Sequence, residues 1–114
     1  MRFTCTVEVR LPRKQTVELW SNPEHLSEWQ DGFISLEHLS GTPGEAGAKS
    51  QMVYQIGKRR IELVETIVTN DLPDWFIGTY DTEAMTNTMI NRFVSVEGGT
   101  RWDAEIEYTR FGSI

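Results

Sequence analysis

The stretch Val17-Glu18-Leu19-Trp20-Ser21-Asn22-Pro23-Glu24-His25-Leu26-Ser27-Glu28-Trp29 decides the fold. Val17 and Trp20 stand three apart, the spacing at which side chains share one helix face. Leu26 and Trp29 repeat it. Between the two pairs sits Asn22-Pro23. Asparagine can accept from the amides of a starting helix, and proline's fixed φ suits the first helical position. The spacing therefore predicts two short helices in tandem. The first opens at Pro12 and runs to about Trp20; the second starts at Asn22-Pro23 and ends near Gly32, a residue able to take the left-handed position that closes a helix.

On either side the period changes to two. Residues 2–10 alternate, with Phe3, Cys5, Val7 and Val9 on one face, and read as a strand that buries that face. There Cys5 is expected to act as a small core residue, since no base stands beside it to activate a thiol. After residue 33, Ile34, Leu36 and His38 alternate with Phe33, Ser35 and Glu37. A loop at Gly41–Gly47 leads to Ser50, Met52, Tyr54 and Ile56, again on alternate positions. Gly57-Lys58-Arg59-Arg60 reads as a charged hairpin turn. Residues 60–69 carry apolar side chains on both faces, so the inward side of that strand stays open. Asn70–Asp74 is a turn. Phe76, Gly78 and Tyr80 follow, then Met89, Asn91 and Phe93, a Gly98-Gly99 hairpin, and Trp102, Ala104, Ile106 and Tyr108. One strand, two helices and six further strands in hairpin order make an antiparallel α+β domain.

Composition narrows the function classes. The chain has 114 residues, 39% hydrophobic and 25% charged, with Lys+Arg 11 against Asp+Glu 17 and a net charge of −6. That is one domain, able to bury roughly two-thirds of its unfolded surface. Nucleic-acid binding needs a basic face, and Lys58-Arg59-Arg60 is too small a cluster to make one. No run approaches the roughly 20 apolar residues of a membrane span. Met1-Arg2-Phe3 leads into no signal-peptide core, so a soluble, cytoplasmic protein is expected. A single cysteine excludes an internal disulfide and a cysteine-built zinc site.

With its elements in this order, the Val17–Trp29 stretch resembles the tandem-helix signature of the START/birch-pollen-allergen (SRPBCC) superfamily. Gly44-Glu45-Ala46-Gly47 is similar to that family's glycine turn before the third strand. Gly98-Gly99-Thr100-Arg101 is similar to its Gly-Gly-Thr hairpin into the last strand. The resemblance spans the chain, 1–114, as one domain, and lies nearest the polyketide cyclase/dehydrase-like branch. It implies a helix-grip fold: a curved seven-stranded antiparallel sheet around a long C-terminal helix, with a ligand cavity between them. This sequence stops at Tyr108-Thr109-Arg110-Phe111-Gly112-Ser113-Ile114, where that helix would begin. The expectation is thus a helix-grip domain without its C-terminal helix, leaving a strip of apolar sheet open to a partner.

By the same resemblance the protein binds a hydrophobic small molecule (a polyketide, lipid, sterol-like or quinone compound), with cyclisation or dehydration as the chemistry it could add. The alternatives are an interaction module similar to the superfamily's chaperone-ATPase activators, and a homodimer covering the open face. Under this fold the concave side carries His38, Met52, Tyr54, Phe76, Tyr80, Met89, Asn91, Phe93, Trp102, Ile106 and Tyr108, with Trp29 facing it from the second helix. Aromatic and methionine side chains with a few hydroxyls, an amide and an imidazole suit a greasy ligand held by a few hydrogen bonds. His38 is the candidate acid–base residue, with Tyr54, Tyr80, Tyr108 and Asn91 orienting a substrate oxygen. His25 falls on the polar side of its helix. Asp103, Glu105 and Glu107 read as a solvated ladder paired with Arg92 or Arg101. No metal spacing, nucleophile elbow, P-loop or dinucleotide fingerprint occurs, so neither a metal nor a cofactor is expected.

Overall fold

The computed structural model describes residues 1–111. Strand β1 (Arg2–Val9) leads into helix α1 (Arg13–Ser21). A single 3-10 turn, Pro23–His25, then feeds the one-turn helix α2 (Leu26–Trp29). Six strands follow: β2 (Phe33–Ser40), β3 (Lys49–Ile56), β4 (Arg59–Asp71), β5 (Trp75–Asp81), β6 (Met85–Val96) and β7 (Gly99–Phe111). They form one antiparallel sheet in the order β1-β7-β6-β5-β4-β3-β2. The chain meanders from β2 to β7, and β1 closes against the last strand. Among the described residues α1, with nine residues, is the longest helix, and no helix is long and apolar enough to cross a membrane.

The helical break forms as the sequence dictates. The Asn22 side-chain oxygen accepts the Glu24 amide at 2.9 Å, and its amide nitrogen donates to Glu18 at 2.8 Å. Gly32 takes φ +76°, and a Cβ there would strike the Gln55 carbonyl. Only glycine fits where the chain turns into β2.

Residues directly opposite in an antiparallel ladder project to the same face. Register therefore defines what lies on the concave side. One row runs across six strands: His38 opposite Ser50, Ser50 opposite Glu65, Glu65 opposite Tyr80, Tyr80 opposite Asn87, and Asn87 opposite Tyr108. The row beside it is apolar, with Ile67, Gly78, Met89, Ile106 and Phe3 in succession. The densest packing lies further along. Ala48, Ile67 and Phe76 form a buried cluster against which Trp20 and Leu72 pack, and Phe93, Asn91 and Thr100 are fully buried.

Three expectations need correction. Cys5 is exposed, not a core residue, as are Phe3 and Val7, at 48% and 40%. β1 is an edge strand, paired only with β7, and alternation shows which residues share a face but not whether anything covers it. In β2 a register shift between Phe33 and Ser35 sets Phe33 opposite Tyr54, their rings 5.8 Å apart. Ile34 turns to solvent, 49% exposed, because the extra residue of a bulge falls out of alternation. In β4 the open question resolves, with Leu63, Glu65 and Ile67 opposite the inward residues of β3 and β5. The acidic ladder pairs with two arginines: Arg2 bridges Glu105 at 3.1 Å and Glu107 at 3.0 Å, and Arg101 meets Asp103 at 3.0 Å.

Candidate ligand cavity

Between the tandem helices and the concave face lies a cavity of about 810 Å³, within the range of small-molecule sites. Trp20, Leu26, Trp29 and Gln30 line it from the helical side. Of the residues expected at a site, the structure places Trp29, His38, Met52, Tyr54, Phe76, Tyr80, Met89, Trp102, Ile106 and Tyr108 on its wall. Asn91 and Phe93 are not there. Asn91 is 0% exposed; it accepts from the Trp102 indole at 3.0 Å and donates to the Phe76 carbonyl at 3.3 Å, so its amide is already spent. Phe93 packs beneath the indoles. Both face the concave side but sit under other side chains, which alternation alone does not reveal.

Trp20, on the last turn of α1, is the hub of the aromatic wall. Its ring lies 5.3 Å from Phe76, 5.2 Å from Phe93 and 6.0 Å from Trp102, and stacks on Trp29 at 6.2 Å. Trp29 meets Trp102 edge-on at 5.6 Å. Such pairs add about 0.5–1.5 kcal/mol each beyond area burial. They seat the helices on the sheet through rings that also face the cavity. The indole nitrogens of Trp20 and Trp29 are buried without a hydrogen-bond partner among the described residues.

The polar row supplies the rest of the wall. Tyr80 donates its hydroxyl to Glu65 Oε2 at 2.9 Å. Gly78 leaves room for this: a Cβ there would stand 2.8 Å from the Tyr80 hydroxyl. Burial first, then the neighbouring Glu65 carboxylate, pushes the Tyr80 phenol well above its ordinary value, so it remains a donor. Burial also raises the Glu65 carboxyl above the usual carboxylate value, against the opposing hydrogen bond from Tyr80. Tyr54 donates to Gln30 at 2.8 Å, tying β3 to the end of α2. Burial, with Glu65 adding to it, pushes that phenol up to about 12. His38 stands at the exposed rim, one ring nitrogen 2.8 Å from the Gly41 carbonyl, and no carboxylate or hydroxyl pairs with it in that contact.

Sequence reasoning overlooked Trp20, Gln30 and Glu65. Trp20 carries a signal, the three-residue spacing from Val17, but that spacing marks a helix face without saying what the face meets. Glu65 carried none, because both faces of its strand are apolar in sequence.

No family model matches the chain, and no curated protein does. Solved structures match throughout. The crystal structure of Ara h 8.0201 superposes with a TM-score of 0.79 at 12% identity, over 100% of this chain and 80% of that one. Ginseng major latex-like protein 151 from Panax ginseng gives 0.80 at 15%, over 96% and 79%. The di-domain ARO/CYC BexL of the BE-7585A biosynthetic pathway gives 0.77 at 17%, over 96% of this chain and 36% of that one. The chain has the helix-grip fold of the START/birch-pollen-allergen proteins, the class its tandem helices and glycine turns resembled. At these identities the likeness is one of fold.

Proposed function

We propose that the protein binds a largely apolar small molecule between its tandem helices and the concave sheet. One observation carries the reading: a cavity of about 810 Å³ walled by Trp20, Trp29, Trp102, Phe76, Met52 and Met89, a volume and an apolar lining of the kind small-molecule sites have. Polyketide-like, sterol-like, lipid and quinone compounds are the classes of fitting size and polarity, and the fold is shared with an ARO/CYC of a biosynthetic pathway.

Three of the four tryptophans line the cavity, while Trp75 lies elsewhere, under the Arg92 guanidinium at 5.3 Å. Titration with an anthraquinone, a sterol, a naphthoquinone and a long-chain alcohol should quench or shift most of the tryptophan emission for at least one of them. The change should saturate at one ligand per chain. Unchanged emission across that panel would remove the reading.

A further inference from the structure

Among the described residues lining the cavity there is one carboxylate and no lysine or arginine to match it, and the one imidazole, His38, stands at the rim. Glu65 lies at the middle of the polar row, and none of the residues lining the cavity is Lys or Arg. Among the described residues its one hydrogen-bond partner is the Tyr80 hydroxyl, on Oε2. The nearest cation along β3, Lys49, is spent on the other face, where its ammonium donates to Thr66 at 2.8 Å. His38 sits two strands away with Ser50 between, about 10 Å off by the usual strand spacing. An ionised carboxylate taken out of water without a counter-charge is expensive, and the expense is recovered only when a cation or strong donor reaches it. On the wall near Glu65 stand Tyr54 and Tyr80, aromatic rings of the kind that attract cations.

We propose that Glu65 selects the ligand by charge, receiving a protonated amine on an otherwise apolar molecule and turning carboxylates away. The missing counter-ion is supplied by the ligand itself. Fatty acids and other apolar anions meet like charge in a poorly solvated space, where repulsion is least screened. Neutral alcohols fall between, since a hydroxyl can donate to the carboxylate without neutralising it. This inference rests on the binding reading above, and the two can fail separately.

The test compares decylamine, decanol and decanoate, which share one chain length and differ in head group, by tryptophan emission at pH 7.5 and physiological salt. The wild-type protein should rank amine over alcohol over carboxylate, with the amine at least about tenfold tighter than the alcohol. Glu65→Gln keeps the shape and the hydrogen bond from Tyr80. It should bring the three affinities within a few-fold of one another, with decanol, whose hydroxyl can still donate to the Gln carbonyl, weakened by no more than a few-fold. Equal affinities in the wild type, or an order that survives in Glu65→Gln, overturns the proposal and leaves cavity binding standing. The surviving order would mean that the net charge of −6 attracts amines to the outer surface. Loss of decanol binding together with the amine makes Glu65 structural and equally overturns it. Failure of all three to bind the wild type overturns the proposal, and the binding reading falls with it only where the panel above is silent as well.

Discussion

A carboxyl whose pKa is raised by folding acts against the fold at neutral pH. The folded state holds the Glu65 proton more readily than the unfolded chain does, because burial disfavours the charged form. Stability from this group is therefore fully present below the ordinary value of 4.5 and is lost as pH rises through the folded value. Glu65→Gln removes the charge at every pH. Its melting temperature should exceed that of the wild type at pH 7 by on the order of a few degrees. The gap should close on acidification toward the ordinary carboxylate value. A variant less stable than the wild type at pH 7, or a gap independent of pH in paired thermal melts, would contradict the assignment. Such a residue is the hardest kind to read from sequence. Ile61, Leu63 and Ile67 point to one face of β4 and Val64 and Val68 to the other, so neither hydrophobicity nor alternation says that Glu65 turns inward. Tyr54, on a strand with one apolar face, and Tyr80, in step with Phe76 and Gly78, are legible from alternation.

Elements were more legible than individual side chains, because each is set by local rules. The break between the helices was readable from Asn22-Pro23 alone, and the structure has Asn22 capping the 3-10 turn through the Glu24 amide. Asn22→Ala should cost about 1 kcal/mol of stability, read as a lowered urea midpoint with an unchanged slope. Because the turn carries Trp29 onto Trp20 and Trp102, the same variant should weaken ligand binding as well. A midpoint equal to the wild type would show that tertiary packing alone holds the turn. The period-two strands were legible for the same local reason, and so were the hairpins at Gly57 and Gly98. What local rules miss is the irregular position. The shift at Phe33–Ser35 swaps which residue faces Tyr54, and no spacing in Phe33-Ile34-Ser35-Leu36 marks it. Strand order is missed too, since nothing in residues 2–9 states that their partner is β7, at the far end of the chain.

At the scale of the molecule, the sheet is continuous but its second layer is thin. Among the described residues, α1, the 3-10 turn and α2 span the concave face, and they hold to it largely through the rings around Trp20. The cavity lies inside that join, so a ligand filling it would touch both layers and add packing where the fold has least. A molecule that binds the native state and not the unfolded chain stabilises by RT ln(1 + [L]/Kd), about 2.7 kcal/mol when present at a hundredfold excess over Kd. For a chain of this size each kcal/mol moves the midpoint by about 4 °C. Decylamine at about one hundred times its measured Kd should therefore raise the melting temperature by about 10 °C. The gain should follow the logarithm of concentration. In Glu65→Gln, at the same amine concentration, weaker binding should leave a smaller gain above that variant's own baseline. A shift of less than about 2 °C at that excess would place the amine on the surface, where it stabilises no particular state. A full shift in the wild type that persists undiminished in Glu65→Gln would locate the ligand in the cavity but away from the carboxylate.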